Sequence, residues 1–411
     1  MRQACRFVFL LLACFLLSTV DGQAQMADSL FHEPYQLSAN GRGELRLDIK
    51  NTNFFHDNEY QGHLSDGYTL PGFRIRPTLS YQPLSNVKLE VGAYLLHYWG
   101  TDRYPNVSYS GLPTWLGDDA QTGFHAMPFV RAQATLFPGL HVVIGSLYSG
   151  SNHRLTEPLY NPEMSISGDP ENGLQIIYDG QRVWADAWCD WQSFIFDHDY
   201  HQESFIFGLS SRVFANSTTS PRHFYFPIQV VVHHHGGETD TENNDRVIRT
   251  WTNVAAGVGF DLHTGDGLLK KVNVEAVGVY YNQQAGSTFP YDNGSGVYVK
   301  AAAQVGRLNM AAGYYWCHHF ITLLGNPHFG TISISDEDYL IRRSTLLRLH
   351  ADYCHRLGRD ISIGFQGDMF TLLPTDAYSS SKGWHRQDAT VSVAFGVYLR
   401  INASFLLKRF K

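Results

Sequence analysis

Histidines close to carboxylates are the residues of this sequence whose types best suit metal binding. His233, His234 and His235 are followed by Glu238 and Asp240, and imidazole and carboxylate groups are good ligands for ions such as zinc. The histidines lie in a strand-like run, however, in which successive side chains point to opposite faces. His233 and His235 therefore share one face and His234 takes the other, which favours a polar cluster at a strand end. We expect no bound metal and no other cofactor.

A second set of residues could support hydrolysis. His97, Asp102, Ser151 and His153 lie near predicted strand ends, and Ser/His or Asp/His pairs can cleave ester or peptide bonds. The sequence contains no GxSxG, HExxH or phosphate-binding glycine-loop motif. Contacts between residues on different strands cannot be derived from their order in the chain. We therefore expect a protein with no catalytic residues that is not an enzyme, and keep a lipid-modifying or proteolytic activity as an alternative.

The elements that carry these residues are predicted to be strands. Over residues 391–401 every second residue is apolar, and polar or small residues such as Ser392 and Arg400 lie between them. A period of two with one purely apolar face predicts a strand whose two sides meet different surroundings. Similar segments recur from residue 44 onward, joined alternately by short turns such as Asp179-Gly180 and by long polar connections. Counting them predicts about 16 strands, within a range of roughly 14 to 18.

The long last strand, which carries Phe405 and Phe410 near its end, resembles the C-terminal strand of bacterial outer-membrane β-barrels. The resemblance implies an all-β fold, a transmembrane up-and-down antiparallel barrel over residues 43–411. The charged fraction of 17% and the aromatic fraction of 14% suit a lipid-facing surface with aromatic girdles. A secreted soluble sandwich or solenoid, whose strands would also alternate, remains the alternative.

Targeting features agree with export. Arg2 and Arg6 precede an apolar run over residues 7–20 and a small-residue cleavage site at residues 22–24, so residues 1–24 are predicted to be a signal peptide. Residues 25–42 would then form a short periplasmic lead. The net charge of -7 argues against a nucleic-acid partner. We expect the mature protein in the outer membrane, in contact with its lipid.

Side chains between the apolar positions are expected to point into the barrel. Closure places the first strand beside the last, so the basic residues of strands one to four and of the last strand would form one wall: Arg46, Lys50, Arg74, Arg76, Lys88, Arg131 and Arg400. Another strand would place alternating rings and carboxylates inside: Trp184, Asp186, Trp188 and Asp190. Rings that stack on sugar faces and carboxylates that accept from hydroxyls could bind sugars there.

The third long connection, residues 150–173, carries four acids: Glu157, Glu163, Asp169 and Glu171. Here the chain resembles the general bacterial porins in architecture and charge placement. The resemblance implies a constriction in which a loop folded into the barrel opposes acids to a basic cluster. An interior salt-bridge lattice and an ordinary solvated surface loop are the alternative interpretations.

The sequence thus predicts a porin-like passive or weakly selective channel for small polar solutes, such as a sugar or an anion. A non-conducting barrel that binds a surface protein partner is the alternative, and a homo-oligomer is compatible with either.

Overall fold

The first and last strands of the chain pair with each other. β1 (Glu44–Glu59) runs antiparallel to β19 (Thr390–Arg409), from Glu44 opposite Arg409 to Glu59 opposite Val393. This pairing closes the sheet in the computed structural model, which describes residues 31–100, 124–193, 202–237, 248–265, 267–336 and 338–410. Within these residues, 16 strands form one closed antiparallel barrel. The predicted fold and strand number are confirmed.

Each barrel strand pairs with the next barrel strand in the chain, as an up-and-down barrel requires. The remaining barrel strands are β2 (Tyr68–Leu84), β3 (Val87–Tyr98), β4 (His125–Phe137), β5 (Leu140–Ser146), β6 (Asn172–Asp179), β7 (Val183–Ser193), β8 (Ser204–Phe214), β9 (Arg222–His235), β10 (Arg249–His263), β11 (Leu269–Ala285), β12 (Asn293–Val305), β13 (Leu308–His318), β15 (Arg343–Arg356) and β16 (Ile361–Leu372).

Three short strands form a separate sheet that is not part of the barrel wall. These are β14 (Leu340–Ile341), β17 (Thr375–Ser379) and β18 (Gly383–Gln387), in the order β14-β17-β18. Helical structure in the described residues is limited to one short helix, α1 (Met164–Ser167), and to 3-10 turns at Ala39–Gly41, Gly150–His153 and Pro327–Phe329. None of the described helices is long and apolar enough to cross a membrane.

Turns of a few residues join the strands at one end of the barrel, and most of the longer loops lie at the other. Two of these are loop L3 (residues 147–171) and loop L7 (residues 319–339). In outer-membrane barrels the short turns face the periplasm. We therefore call the end with the short turns the periplasmic end and the opposite end the outer end.

The outer surface of the barrel wall is apolar. On β9, for example, Phe224, Phe226 and Ile228 are exposed. Tyr225 and Val231, which point to the other face of the strand, are buried. Exposed apolar side chains alternating with buried ones are typical of a sheet that faces lipid on one side. The period-two pattern of the sequence therefore separates an outer lipid-facing surface from the barrel interior.

Loops L3 and L7 fold into the barrel interior and pack there. Phe320, Ile321 and Phe329 of L7 and Leu159 of L3 belong to one buried cluster with rings of the wall such as Trp251. All residues of L7 from Phe320 to Ser333 are buried. The barrel thus has an apolar core as well as an apolar exterior.

Candidate functional site

The residues of the predicted basic wall lie on the inner face of their strands, together with the buried residues of those strands: Arg46, Lys50, Arg74, Arg76, Lys88, Arg131 and Arg400. Glu33, from the predicted periplasmic lead, lies among them inside the barrel. Its carboxylate oxygens are 2.5 Å from Arg76 and 3.0 Å from Lys50, and Arg131 lies 3.5 Å away. Burial opposes ionisation of Glu33, but these cations outweigh it and hold its pKa well below the usual range.

The acids of L3 have partners other than the predicted basic wall. Glu157 lies 3.0 Å from Lys300 on β12 and 2.7 Å from Arg348 on β15. Glu163 accepts a hydrogen bond from Asn58 at 3.1 Å and lies 3.4 Å from His56 on β1. L3 therefore crosses the interior to the far side of the barrel, and Glu33 takes the place that the porin resemblance implied for the loop acids. Whether any of these residues lines a conducting pore stays a prediction.

The alternating tryptophan and aspartate side chains of β7 also point into the barrel, as predicted. Trp184, Asp186, Trp188 and Asp190 are all buried. His153 of L3 stacks on Trp188 at a centroid distance of 3.6 Å, and the guanidinium of Arg154 lies 4.2 Å from the centre of the Trp184 ring.

These contacts change what β7 can bind. Each indole already has a side chain of L3 against it, so the faces that were expected to stack on sugars are at least partly occupied. Asp186 lies 2.8 Å from His153, and Asp190 accepts from the backbone N–H of Asn172 at 2.8 Å. The strand anchors L3, and a sugar would have to displace the loop.

A small cavity lies between L3, L7 and the barrel wall. His56, Glu163, Arg348, Asp368 and Phe370 are among the residues that line it, and its volume is about 20 Å³. This is room for about one water molecule. The cavity is therefore much too small for a lipid or a sugar.

Histidine and carboxylate pairs in the described residues differ mainly in exposure. His56, His153, His223 and His350 each lie within ion-pair distance of a carboxylate, with imidazoles that are 1% to 6% exposed. His125 and Asp169 form the pair with more exposed side chains, at 13% and 31% respectively. Because a hydrolytic group has to meet its substrate and water, this pair is the best candidate for chemistry among them.

His125 begins β4 at the outer end of the barrel, and Asp169 lies on L3. The Nδ1 atom of His125 is 2.7 Å from an Oδ1 oxygen of Asp169. A carboxylate at this distance fixes the orientation and tautomer of an imidazole, which can then exchange a proton through its other nitrogen. The sequence analysis placed Asp169 in the constriction loop and did not include His125, because nothing in the sequence connects the two residues.

An aromatic cluster, formed by Phe73, His97, Trp99 and Phe124, lies on the wall next to this pair. The ring of Phe73 is 5.6 Å from Trp99 and 6.0 Å from His97, and Phe124 is 5.8 Å from His97. Trp99 and Phe124 are 58% and 52% exposed. Exposed rings at a strand end are typical of the boundary between hydrocarbon and lipid headgroups. Since Phe124 directly precedes His125, the pair lies at the level of this boundary.

The other residues considered for chemistry are less accessible or lie outside the described residues. Ser151 and His153 are buried in L3. His233 is buried, with its Nε2 atom 3.3 Å from the hydroxyl of Ser204. Within the described residues, no group of three or more His, Cys, Asp or Glu side chains could hold a metal ion. Asp102, Glu238 and Asp240 lie outside the described residues.

A closed 16-strand barrel with an apolar exterior and an ion-paired interior defines an outer-membrane β-barrel protein, and the protein is located in the outer membrane. The chain belongs to the family described as lipid A 3'-O-deacylase-type, whose family model matches residues 37–410. The expectation that the protein is not an enzyme is wrong, because this is a family of enzymes. The absence of sequence motifs was misleading, since active-site residues on different strands need no shared motif.

Solved structures similar to the chain include OmpT, an outer membrane protein of Vibrio cholerae, with 10% identity, a TM-score of 0.44 and coverage of 87% of this chain and 99% of that one. OprD from Pseudomonas aeruginosa has 10% identity, a TM-score of 0.42 and coverage of 90% and 97%. An anion-selective porin from Comamonas acidovorans has 11% identity, a TM-score of 0.44 and coverage of 87% and 98%. No curated protein matches the chain.

Proposed function

We propose that this protein hydrolyses an acyl ester of a lipid A-type glycolipid in the outer leaflet of the outer membrane. His125 is the general base in this proposal, and Asp169 is the carboxylate that orients it. The observation that carries the assignment is the 2.7 Å contact between the two side chains at the outer end of the barrel. Membership of a lipid A 3'-O-deacylase-type family supports the substrate class.

The reaction needs water and one proton acceptor. The imidazole of His125 takes a proton from a water molecule, whose oxygen attacks the ester carbonyl carbon. The imidazolium then gives this proton to the departing sugar oxygen as the carbon–oxygen bond breaks. The products are a free fatty acid and a sugar hydroxyl, so the ester and one water are consumed. Asp169 stabilises the imidazolium between the two proton transfers.

The surroundings of His125 suit a lipid substrate. Phe73, Trp99 and Phe124 present rings to the lipid side of the wall immediately beside it. Acyl chains that lie against these rings would remain in hydrocarbon, while the ester at the headgroup level would meet the imidazole. His125 shares the inward face of β4 with Phe129 and Arg131, so the ester would reach the imidazole over the outer rim of the wall while the acyl chains stay on its lipid side.

The test is hydrolysis of purified lipopolysaccharide by the purified protein in detergent, with loss of an acyl chain detected by mass spectrometry. Replacing His125 by Asn should lower the rate by about 10²- to 10⁴-fold, the usual contribution of a general base. Asp169→Asn should lower it less and should change the pH profile. His263→Asn, at the periplasmic end, is the matched control and should retain the wild-type rate. Full activity in His125→Asn would overturn the assignment.

A solute channel is the second candidate, and the inward-facing basic residues such as Arg74 and Arg400 are the observation in its favour. The packing of L3 and L7 in the interior argues against a wide pore. Single-channel recording in planar bilayers separates the two functions. Steady ion-selective conductance by a His125→Asn variant that has lost hydrolysis would establish a channel, whereas hydrolysis without conductance would exclude it.

A further inference from the structure

Three rings stack on one another at the outer end of β13. The ring of Tyr291 lies 3.9 Å from that of His319, with 10° between the planes, and His319 lies 3.8 Å from His318 at 27°. His319 has a φ of 53°, in the left-handed region that costs energy for residues other than glycine. A backbone hydrogen bond of 3.0 Å from its N–H to the carbonyl of Arg342 holds it there. The hydrogen bond to Arg342 thus keeps His319 in a strained backbone conformation in which its ring lies between those of Tyr291 and His318.

Arg342, whose carbonyl accepts from His319, connects the stack to the small three-stranded sheet. The guanidinium of Arg342 lies 4.2 Å from the centre of the Trp384 ring, and Trp384 contacts Tyr378 at 5.6 Å. Trp384 is 45% exposed. Tyr378 and Trp384 belong to β17 and β18, which are not barrel strands. They are therefore not part of the aromatic girdle, which lies on barrel strands at the lipid boundary.

Three exposed cations lie near these rings in the chain, beside one exposed carboxylate, Asp292. Arg342, Arg343 and Lys382 are exposed, and no ion pair joins them to a carboxylate within the described part of the chain. Arg386 is the neutralised exception, since it lies 3.3 Å from Asp376. Exposed cations without partners are available to an anionic ligand. A guanidinium is particularly suited to phosphate and carboxylate groups, which it can bind with two parallel hydrogen bonds.

We propose that Tyr291, His318, His319, Arg342 and Trp384 form a binding surface for an acidic oligosaccharide, a sugar chain that carries phosphate or carboxylate groups. The outer faces of the stack, on Tyr291 and His318, and the exposed ring of Trp384 contact the apolar faces of the sugars, His319 holds the stack together between them, and the cations bind the anionic substituents. Such a ligand could be attached to a glycolipid of the same membrane or be free in solution, and both sources present the same chemistry.

This surface is separate from the proposed hydrolytic pair. β15, which follows Arg342, is six strand positions from β4 around the barrel. Adjacent strands lie about 4.8 Å apart, so the separation along the wall is on the order of 25–30 Å. The oligosaccharide surface therefore does not depend on the proposed function, and either can fail without the other.

The test measures binding to the full-length protein in detergent micelles by isothermal titration calorimetry. The probes are the phosphorylated core oligosaccharide released from lipopolysaccharide, the same sample after phosphatase treatment, and neutral maltohexaose. The phosphorylated probe should bind most tightly, and Arg342→Gln or Trp384→Ala should weaken it by about tenfold or more. Trp191→Ala, which removes an exposed indole on the outside of β7, is the matched control and should bind like the wild type.

The remaining outcomes are equally decisive. No binding of any probe in free or lipid-linked form, equal binding of the phosphorylated and neutral probes, or unchanged binding in both variants would overturn the proposal. Binding of intact lipopolysaccharide without binding of the released oligosaccharide, again weakened in Arg342→Gln and Trp384→Ala, would support it and identify a lipid-linked sugar as the ligand. Binding of the free probe would identify soluble polysaccharide as a sufficient ligand. Heat-modifiable gel migration confirms folding of each variant.

Discussion

The imidazole of His153 stacks on the indole of Trp188, with ring centroids 3.6 Å apart and planes 13° apart. The same imidazole lies 2.8 Å from Asp186 and 2.7 Å from Glu171. Burial alone would lower the pKa of His153, but the two carboxylates outweigh it and raise the pKa to about 10. A charged imidazole over an indole face adds a cation–π attraction. L3 is therefore attached to β7 by a buried cation that remains protonated at neutral pH.

This attachment predicts a stability that falls in alkaline solution. The pKa of His153 rises on folding from 6.5 to about 10, so its contribution is complete below pH 6.5 and is lost as the pH rises through 10. The contribution should be on the order of 3–5 kcal/mol. Urea unfolding in detergent between pH 6 and pH 10.5 measures it. His153→Asn should be less stable at pH 6 and should lack most of this pH dependence; identical profiles for the two proteins would contradict the prediction.

On the opposite side of the interior, the Glu157 carboxylate should contribute to the stability of the protein about as much as His153 does. Glu157→Gln removes the anion that Lys300 and Arg348 share, while Arg348 keeps Asp368 at 2.7 Å, so the protein should be destabilised by about 3 kcal/mol, the lower end of the range for a broken buried ion pair. Burial raises the pKa of Glu157, but Lys300 and Arg348 outweigh it and lower the pKa to about 2. The stabilisation is therefore present above pH 4.5 and is lost as the pH falls through 2.

The matched control for Glu157 is an ion pair at the surface. Asp376 and Arg386 are 71% and 61% exposed, so Asp376→Asn should change the unfolding free energy by less than about 1 kcal/mol. Urea midpoints at neutral pH compare the two variants. Similar small effects in both would mean that solvent reaches Glu157 more freely than its burial indicates.

The sequence predicts the barrel well because one repeating feature determines it. Alternation over residues 391–401 specifies which face of β19 meets lipid, and a slip by one residue would reverse every side chain. In β1 the alternation of apolar and polar residues is clear only over residues 44–50, because Asn51 and Asn53 occupy outward positions where apolar residues were expected. The strand nevertheless extends to Glu59, so an interruption of the pattern does not mark the end of a strand.

The candidate site could not be predicted in the same way. Asp169 is 44 residues from His125 in the chain, and their contact depends on the path that L3 takes inside the barrel. Glu33 lies in a segment without any periodic pattern, and its partners come together only when the barrel closes. Side-chain direction on a strand is a local property that alternation reveals, whereas the partner of a side chain depends on loop conformation.

Glu33 should hold the N-terminal lead inside the barrel. Glu33→Gln removes the anion shared by Lys50, Arg76 and Arg131, and these cations then repel one another at short range in a partly buried site. The variant should lose about 3 kcal/mol or more of stability, and its lead should be cleaved faster in limited proteolysis. Gln36→Ala removes an exposed hydrogen bond to Asp179 and is the control. Equal protease resistance in all three proteins would show that the lead is held by other contacts.

The outward-facing amides of β1 should lower the stability of the protein in lipid. Asn51 lies opposite Ile75 and Ile401, and Asn53 lies opposite Phe73 and Leu399. The two amides bond to each other at 2.6 Å, which offsets only part of the cost of placing polar groups in hydrocarbon. Replacing both by Leu should therefore raise the free energy of unfolding in lipid vesicles by about 1–3 kcal/mol.

A reverse substitution at a neighbouring outward position is the control for this effect. Leu399→Asn introduces an amide where the wall is apolar, and it should lower the free energy of unfolding by a similar amount, about 1–3 kcal/mol. Guanidinium unfolding in vesicles, followed by tryptophan fluorescence, measures both variants. If the double Leu variant were no more stable than the wild type while Leu399→Asn was destabilised, the hydrogen bond between Asn51 and Asn53 would offset the cost of their burial in hydrocarbon, because Leu399 lies opposite Asn53 at the same depth.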